Sequence, residues 1–282
     1  MNLREAIIGA GMTPPRHIPE GRFVRFPGAG KGGGNTAGWC RLITPTLAVF
    51  GDWSTGLTET WRDAEHIDTA ESRRLLEQAN QRERQYREAQ RRRQNDVGRE
   101  VERMIREAKR DTHPYLVAKG FPGTSGLVHE GRLLLPIRAV EDYKRVISAQ
   151  LIDANGEKRF IPGGRVRGGV FRIGPAKPAH TLLCEGFATG QSLYCAAGRL
   201  PGATAVVVCF SANNLELVAQ HFPGALVCAD NDASVTGERS AQATGLPYVM
   251  PPTTGEDFND LHQRAGLQRV IEVLRQTRSK AA

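Results

Sequence analysis

The sequence has few cysteines, and no two of them are spaced to share a metal. Five occur (Cys40, Cys184, Cys195, Cys209, Cys228), an odd number without a C-x-x-C pair, so neither a disulfide framework nor a zinc ribbon is indicated. Segments such as Leu182-Leu183-Cys184 and Val206-Val207-Val208-Cys209 place thiols where they act as small core residues. Long apolar runs are also missing. None approaches the roughly 20 residues of a membrane-spanning helix, and 40% hydrophobic with 24% charged residues is the balance of a soluble globular protein. The first residues, Met1-Asn2-Leu3-Arg4-Glu5, lack the basic-then-apolar design of a secretory leader, so a cytoplasmic location is expected. A phosphate-cradling P-loop is absent as well. In the glycine-rich stretch from Pro27 to Thr36, Lys31 is followed by Gly32 and not by a hydroxyl residue, and the stretch reads as a flexible turn.

What is present is length, charge and pattern. At 282 residues the chain has room for two domains. A net charge of +8 and a pI near 9.5 point to a polyanionic partner, because clustered Lys and Arg gain free energy by releasing phosphate counterions. Four regions are expected: a small N-terminal α+β module over 1–60, a helical linker over 61–112, a basic β-rich subdomain over 113–178, and an α/β domain over 179–282. In the first, Phe23-Val24-Arg25-Phe26 and Leu47-Ala48-Val49-Phe50 read as strands. In the second, the stretch from about Thr60 to Lys109 has no Pro and a single glycine, Gly98, among good helix formers. Its middle, Gln81 to Asp96, offers little to bury, and Arg91-Arg92-Arg93 reads as a solvated helix face. His113-Pro114 ends the helix. Strands are expected at Arg132 to Ile137, Val146 to Ile152 and Val170 to Ile173.

From Ala179 the pattern alternates strand and helix: Thr181 to Cys184, Ala188 to Ala197, Thr204 to Phe210, Asn213 to His221, Ala225 to Ala229, Gly237 to Thr244, Tyr248 to Met250, then two closing helices. Apolar strand runs between amphipathic segments predict a mostly parallel sheet flanked by helices. Ligands of such sheets bind outside the carboxyl ends of the strands, and acids stand there. Glu185 follows the first strand, Asp230 and Asp232 follow the third, and Asp257 and Asp260 follow the last. Carboxylates gathered this way repel one another unless a cation offsets their charge. An all-oxygen set favours Mg²⁺ or Mn²⁺, which hold phosphate oxygens and support in-line attack on phosphorus.

Leu183-Cys184-Glu185-Gly186-Phe187-Ala188-Thr189-Gly190, followed some forty residues on by Ala229-Asp230-Asn231-Asp232, resembles the toprim family of primases, topoisomerases, small nucleases and recombination proteins. Upstream, Gly131 to Arg138, Gly156 to Phe160 and Phe171 to Gly174 look like the basic half of a primase catalytic core. The whole is most similar to toprim primases of phages, plasmids and other mobile elements. The resemblance implies Glu185, Asp230 and Asp232 as catalytic metal ligands, with Asp257 and Asp260 supporting a second ion. It also implies Lys158 facing nucleotide or template phosphates, and Arg132, Arg159, Arg165, Arg167 and Arg172 on the same basic groove. Two departures stand out: no N-terminal zinc-ribbon cysteines, and Thr189 where the family often has an acid four residues after the first Glu.

The activity so implied is primer synthesis from ribonucleoside triphosphates on a single-stranded DNA template. No ATPase motif is evident, so a separate helicase would unwind the duplex. Two other readings remain open: a toprim nuclease, which would degrade DNA or RNA without added nucleotide, and a non-catalytic DNA-binding replication adaptor.

Overall fold

The computed structural model describes residues 1–63 and 69–278. Its contacts divide the chain into two units, residues 1–90 and 91–282. The division falls inside the polar stretch noted above, in which no residue from Gln81 to Asp96 is buried.

The N-terminal unit begins with α1 (Leu3–Gly9), capped by a reciprocal pair in which Asn2 Oδ1 accepts from the Glu5 N–H and Glu5 Oε2 from the Asn2 N–H. Four strands follow, β1 (Phe23–Phe26), β2 (Gly38–Thr44), β3 (Leu47–Asp52) and β4 (Leu57–Arg62), paired antiparallel in that order. Alternation along the strands sends Phe26, Cys40, Ala48 and Phe50 to one face, where they bury against Ile7 and Met12. The other face carries Phe23, Arg25, Trp39 and Arg41. The second and fourth strands are invisible in the hydropathy pattern, since β2 is split by Arg41 and β4, Leu-Thr-Glu-Thr-Trp-Arg, is largely polar. A 39-residue helix, α2 (Thr69–Glu107), starts in this unit and ends in the next.

In the second unit α2 acquires an apolar stripe. Val97, Val101 and Met104, at helical spacing, pack on Leu134, Val146 and Ala149. The helix and sheet meet closely at Gly98, where a Cβ would lie 2.7 Å from the Val146 carbonyl oxygen. There follow β5 (Lys109–Asp111), α3 (Pro114–Ala118), β6 (Gly126–His129), β7 (Arg132–Ala139), β8 (Asp142–Ile152), β9 (Lys158–Phe160) and β10 (Gly169–Ile173). The remainder is β11 (His180–Cys184), α4 (Phe187–Ala197), β12 (Thr204–Val208), α5 (Ala212–Ala219), β13 (Leu226–Cys228), α6 (Thr236–Ala243), β14 (Tyr248–Val249), α7 (Phe258–Ala265) and α8 (Leu267–Arg278).

All ten strands form one sheet, whose path runs β14-β13-β11-β12-β10-β7-β6-β5, with β8 and β9 branching from β7. The pairs β11–β12, β11–β13 and β13–β14 are parallel, as expected for an α/β domain. The sheet does not stop at residue 178, however. Strand β12 pairs antiparallel with β10, and β10 with β7, so the basic β-rich stretch and the α/β region share one hydrogen-bonded layer. Buried Asn214 fastens this junction: its Oδ1 accepts from the Gly168 N–H, and its Nδ2 donates to the Gly169 and Cys209 carbonyls. One face of the sheet is covered by α3, α4, α7 and α8 through Leu182, Cys184, Val206, Val208 and Phe258. The other is covered by α5 and α6 through Leu183, Val207 and Val227. Among the described residues no helix is long and apolar enough to cross a membrane.

Candidate metal centre

The acids come together because three parallel strands end at the same edge. Strand β11 stops at Cys184, leaving Glu185 at its carboxyl end beside the start of α4. Strand β13 stops at Cys228, and Asp230 and Asp232 leave the sheet two and four residues on. The loop before α7 is stitched to this exit: the Asn231 N–H donates to the Glu256 carbonyl, and Asn231 Nδ2 to the Pro251 carbonyl. Asp257 thereby lies in the same neighbourhood.

Asp230 is the most strained of the group electrostatically. Its Oδ1 is buried without a hydrogen-bond partner. Burial, then the charges of Asp257, Glu185, Asp232 and Asp260, push its carboxyl up to about 7. Glu185 is likewise pushed above the usual carboxylate range, by burial first and Asp232 second, while Lys158 and the Ala212 N–H oppose the rise. Asp232 moves the other way, because the Ser234 hydroxyl and the Gly237 and Thr236 N–H groups all point at it. It fastens the loop that leads into α6. That loop is tight: Val235 adopts φ 60°, and a Cβ on Gly237 would lie 2.3 Å from the Asp230 carbonyl oxygen.

Asp257 and Asp260 do something the sequence did not disclose. Asp257 caps α7, its Oδ1 accepting from the Asn259 and Asp260 N–H groups at 2.6 and 2.9 Å, while Asp260 accepts from the Asp257 N–H. This is a reciprocal capping box. The second oxygen of Asp257 accepts from the Thr189 hydroxyl at 3.0 Å, so the residue standing in place of an acid in α4 is bonded to one. Both carboxylates thus have protein donors, and their effect on Asp230 is exerted as charge. Among the described residues, no group of three His, Cys, Asp or Glu side chains is disposed to enclose a metal ion as they stand.

Residues 180–268 match the Toprim domain family. In structure the chain is similar to the DnaG catalytic core, at 18% identity over 57% of this chain and 58% of that one, with a TM-score of 0.37. It is similar also to the E. coli primase catalytic core, at 16% identity over 68% and 72% of the two chains and a TM-score of 0.38. The DnaG primase catalytic domain bound to ssDNA gives 16% identity over 68% and 73%, again with a TM-score of 0.38. The chain spans 58% of the length of the first of these.

The six basic residues expected on one groove fall on β7, β9, β10 and the loop between the last two. Lys158, exposed on β9, is registered opposite Ile152 on the face that leads to Glu185, and its charge acts on that carboxylate. Its neighbour Phe160 meets Phe210 edge-on, with ring centroids 6.0 Å apart. Phe210 itself sits at φ 68° and donates its N–H to the Glu185 carbonyl. Arg159, one residue on, faces the opposite way. It lines a small cavity of about 150 Å³ with Arg132, Asp153 and Glu157, and pairs with Glu157 at 2.8 Å. Arg165 pairs with Glu141 at 2.8 Å. Arg172 lies over the Tyr143 ring, 4.1 Å from its centroid, and Arg167 is exposed. Strand alternation separates Lys158 from Arg159, since adjacent residues leave a strand on opposite faces; Arg165 and Arg167 lie in the loop between β9 and β10.

The residue that sequence reasoning passed over is Tyr115. Its hydroxyl is buried without a partner, and burial, then Asp257, raise it to about 12. It is carried on the five-residue helix α3, too short to register as a periodic signal.

Proposed function

We propose that the chain is a DNA primase of the phage or plasmid type, a metal-dependent nucleotidyltransferase that makes short RNA primers on single-stranded DNA. One observation carries the reading: Asp230 presents a buried, unpartnered oxygen amid four further carboxylates at the strand ends. A buried acceptor without a donor is costly, and a hard divalent cation satisfies it. Asp230, Glu185 and Asp232 would hold Mg²⁺ or Mn²⁺, which when bound neutralises phosphate charge. Asp257 and Asp260 add negative potential to the same edge from their places in the α7 cap.

In the reaction, the 3′ hydroxyl of one ribonucleotide attacks the α-phosphate of a second. The new phosphodiester bond forms as the bond to pyrophosphate breaks. Glu185, whose burial raises its basicity, accepts the hydroxyl proton. Lys158 meets the incoming triphosphate from the Glu185 side, and exposed Arg167 attracts template phosphate. A separate helicase supplies the single strand.

The test is direct. With Mn²⁺ or Mg²⁺, ribonucleoside triphosphates and single-stranded DNA, the purified chain is expected to make short oligoribonucleotides, and Asp230→Ala to abolish them; undiminished synthesis by that variant refutes the assignment. The capping bonds of Asp232, Asp257 and Asp260 favour one second reading, a DNA-binding adaptor whose acids serve folding. Salt-sensitive DNA binding without any metal-dependent product would select it.

A further inference from the structure

One face of the N-terminal sheet is packed on α1, and the other, aromatic and partly covered by α2, leaves a groove. On it Phe23 is 50% exposed and Trp53 53% exposed, a larger apolar surface than a single stray residue would leave. The rings of Phe23, Trp39 and Trp53 are near-parallel, at 15° to 25°, and all three centroid separations fall between 5.5 and 6.0 Å. Three rings in a column would put the outer two about twice as far apart as neighbours. The observed equality means a triangular cluster of near-parallel rings, with Phe23 and Trp53 about half exposed.

The platform is held stiffly. Trp53 donates its backbone N–H to the Ala37 carbonyl. The preceding Asp52 is buried and accepts from the Ala29 N–H, the Ser54 N–H and the Ser54 hydroxyl. Beside the rings, within the same unit, α2 completes a cavity of about 680 Å³ lined by Phe23, Trp53, Tyr86, Arg41, Arg82 and Arg87. Tyr86 is 67% exposed, on a helix stretch with no other aromatic residue. Glu83 is shared by Arg41 and Arg87, so the lining carries three guanidinium groups and one carboxylate. A fourth, Arg25, lies 4.6 Å over the Trp53 ring, with its guanidinium fixed to the Thr36 carbonyl.

We propose that this groove is a second binding site, separate from the acidic edge, that takes single-stranded nucleic acid by stacking bases on Trp53, Phe23 and Tyr86 with the arginines on the phosphates. The chemistry selects the ligand. Every base has a π-face, so stacking on a rigid ring platform is tolerant of sequence, and interleaved cations match a phosphate every nucleotide. An apolar peptide helix would instead call for an aliphatic trough without guanidinium walls.

The experiment titrates the full-length chain with a short oligothymidylate in EDTA, without nucleotide, following tryptophan fluorescence and anisotropy of the labelled oligonucleotide. Saturable quenching is expected, with affinity falling as salt rises. Trp53→Ala is expected to weaken binding about tenfold or more, while Trp53→Phe keeps most of the affinity and loses part of the quenching. Arg82→Ala is expected to weaken binding and flatten its salt dependence. Asp230→Asn is expected to bind as the parent does, so failure of the primase reading and failure of this site are separately visible. Unchanged affinity in Trp53→Ala, or binding insensitive to salt, overturns the proposal; the second outcome points to a peptide partner.

Discussion

At the scale of single residues, Asp230 ties the chemistry to stability. An aspartate ordinarily titrates near about 3.9, whereas here burial and neighbouring charge raise it to about 7. A group raised on folding contributes its full stability below the unfolded value and loses it as pH climbs through the folded one. Without divalent ion the protein is therefore expected to lose stability between about pH 4 and pH 8. Asp230→Asn removes the loss: its unfolding free energy in EDTA, from chemical denaturation, should exceed the parent's by more at pH 8 than at pH 5, by on the order of 1–3 kcal/mol. Mg²⁺ or Mn²⁺ should close that gap at pH 8. An equal gap at both pH values would show that the carboxyl is not the source. The place of Asp230 beyond a strand end was legible in the sequence because it follows an apolar strand run directly. The Thr189 hydroxyl that meets Asp257 was not, because a hydrogen bond between residues 68 apart leaves no local pattern.

Elements show where local preference yields to packing. Gly98 is the lone glycine of α2 and looks like a weak point, since alanine favours a helix by about 1 kcal/mol. Yet a Cβ there would lie 2.7 Å from the backbone of β8. Gly98→Ala is accordingly expected to lower stability by about 1–3 kcal/mol in chemical denaturation, against its helix propensity. Gly237→Ala meets the Asp230 carbonyl at 2.3 Å and should disturb the loop carrying Asp230 and Asp232. Its signature would be lower stability together with divalent-ion affinity reduced about tenfold by calorimetry. The α7 cap makes a contrasting case. Asp260→Ala removes one partner of the box and is expected to cost about 1 kcal/mol, leaving divalent affinity close to the parent's. A large loss of affinity would return Asp260 to the ligand set.

For the molecule as a whole, the strand and helix order after Ala179 could be read from alternating apolar and amphipathic segments, because each element there is internally consistent. The N-terminal strands β2 and β4 could not, since their burial comes from a single face interrupted by Arg41, Glu59 and Arg62. Nor could the partition of the basic residues. Consecutive basic residues on a strand look like one patch along the chain and separate in space once strand alternation is applied, as with Lys158 and Arg159. The sequence boundary at residue 178 follows a real change of composition, but hydrogen bonds between β10 and β12 cross it.

That crossing constrains how this polypeptide can be cut and recombined. A fragment beginning at residue 179 would expose the flank of β12, which is buried along its whole length, as an unpaired apolar margin of the kind that recruits neighbouring chains. Such a fragment is expected to precipitate on expression, while residues 91–282 stay monodisperse by light scattering. The acidic edge is in this sense no portable cassette: any graft into another protein must bring its antiparallel neighbour along.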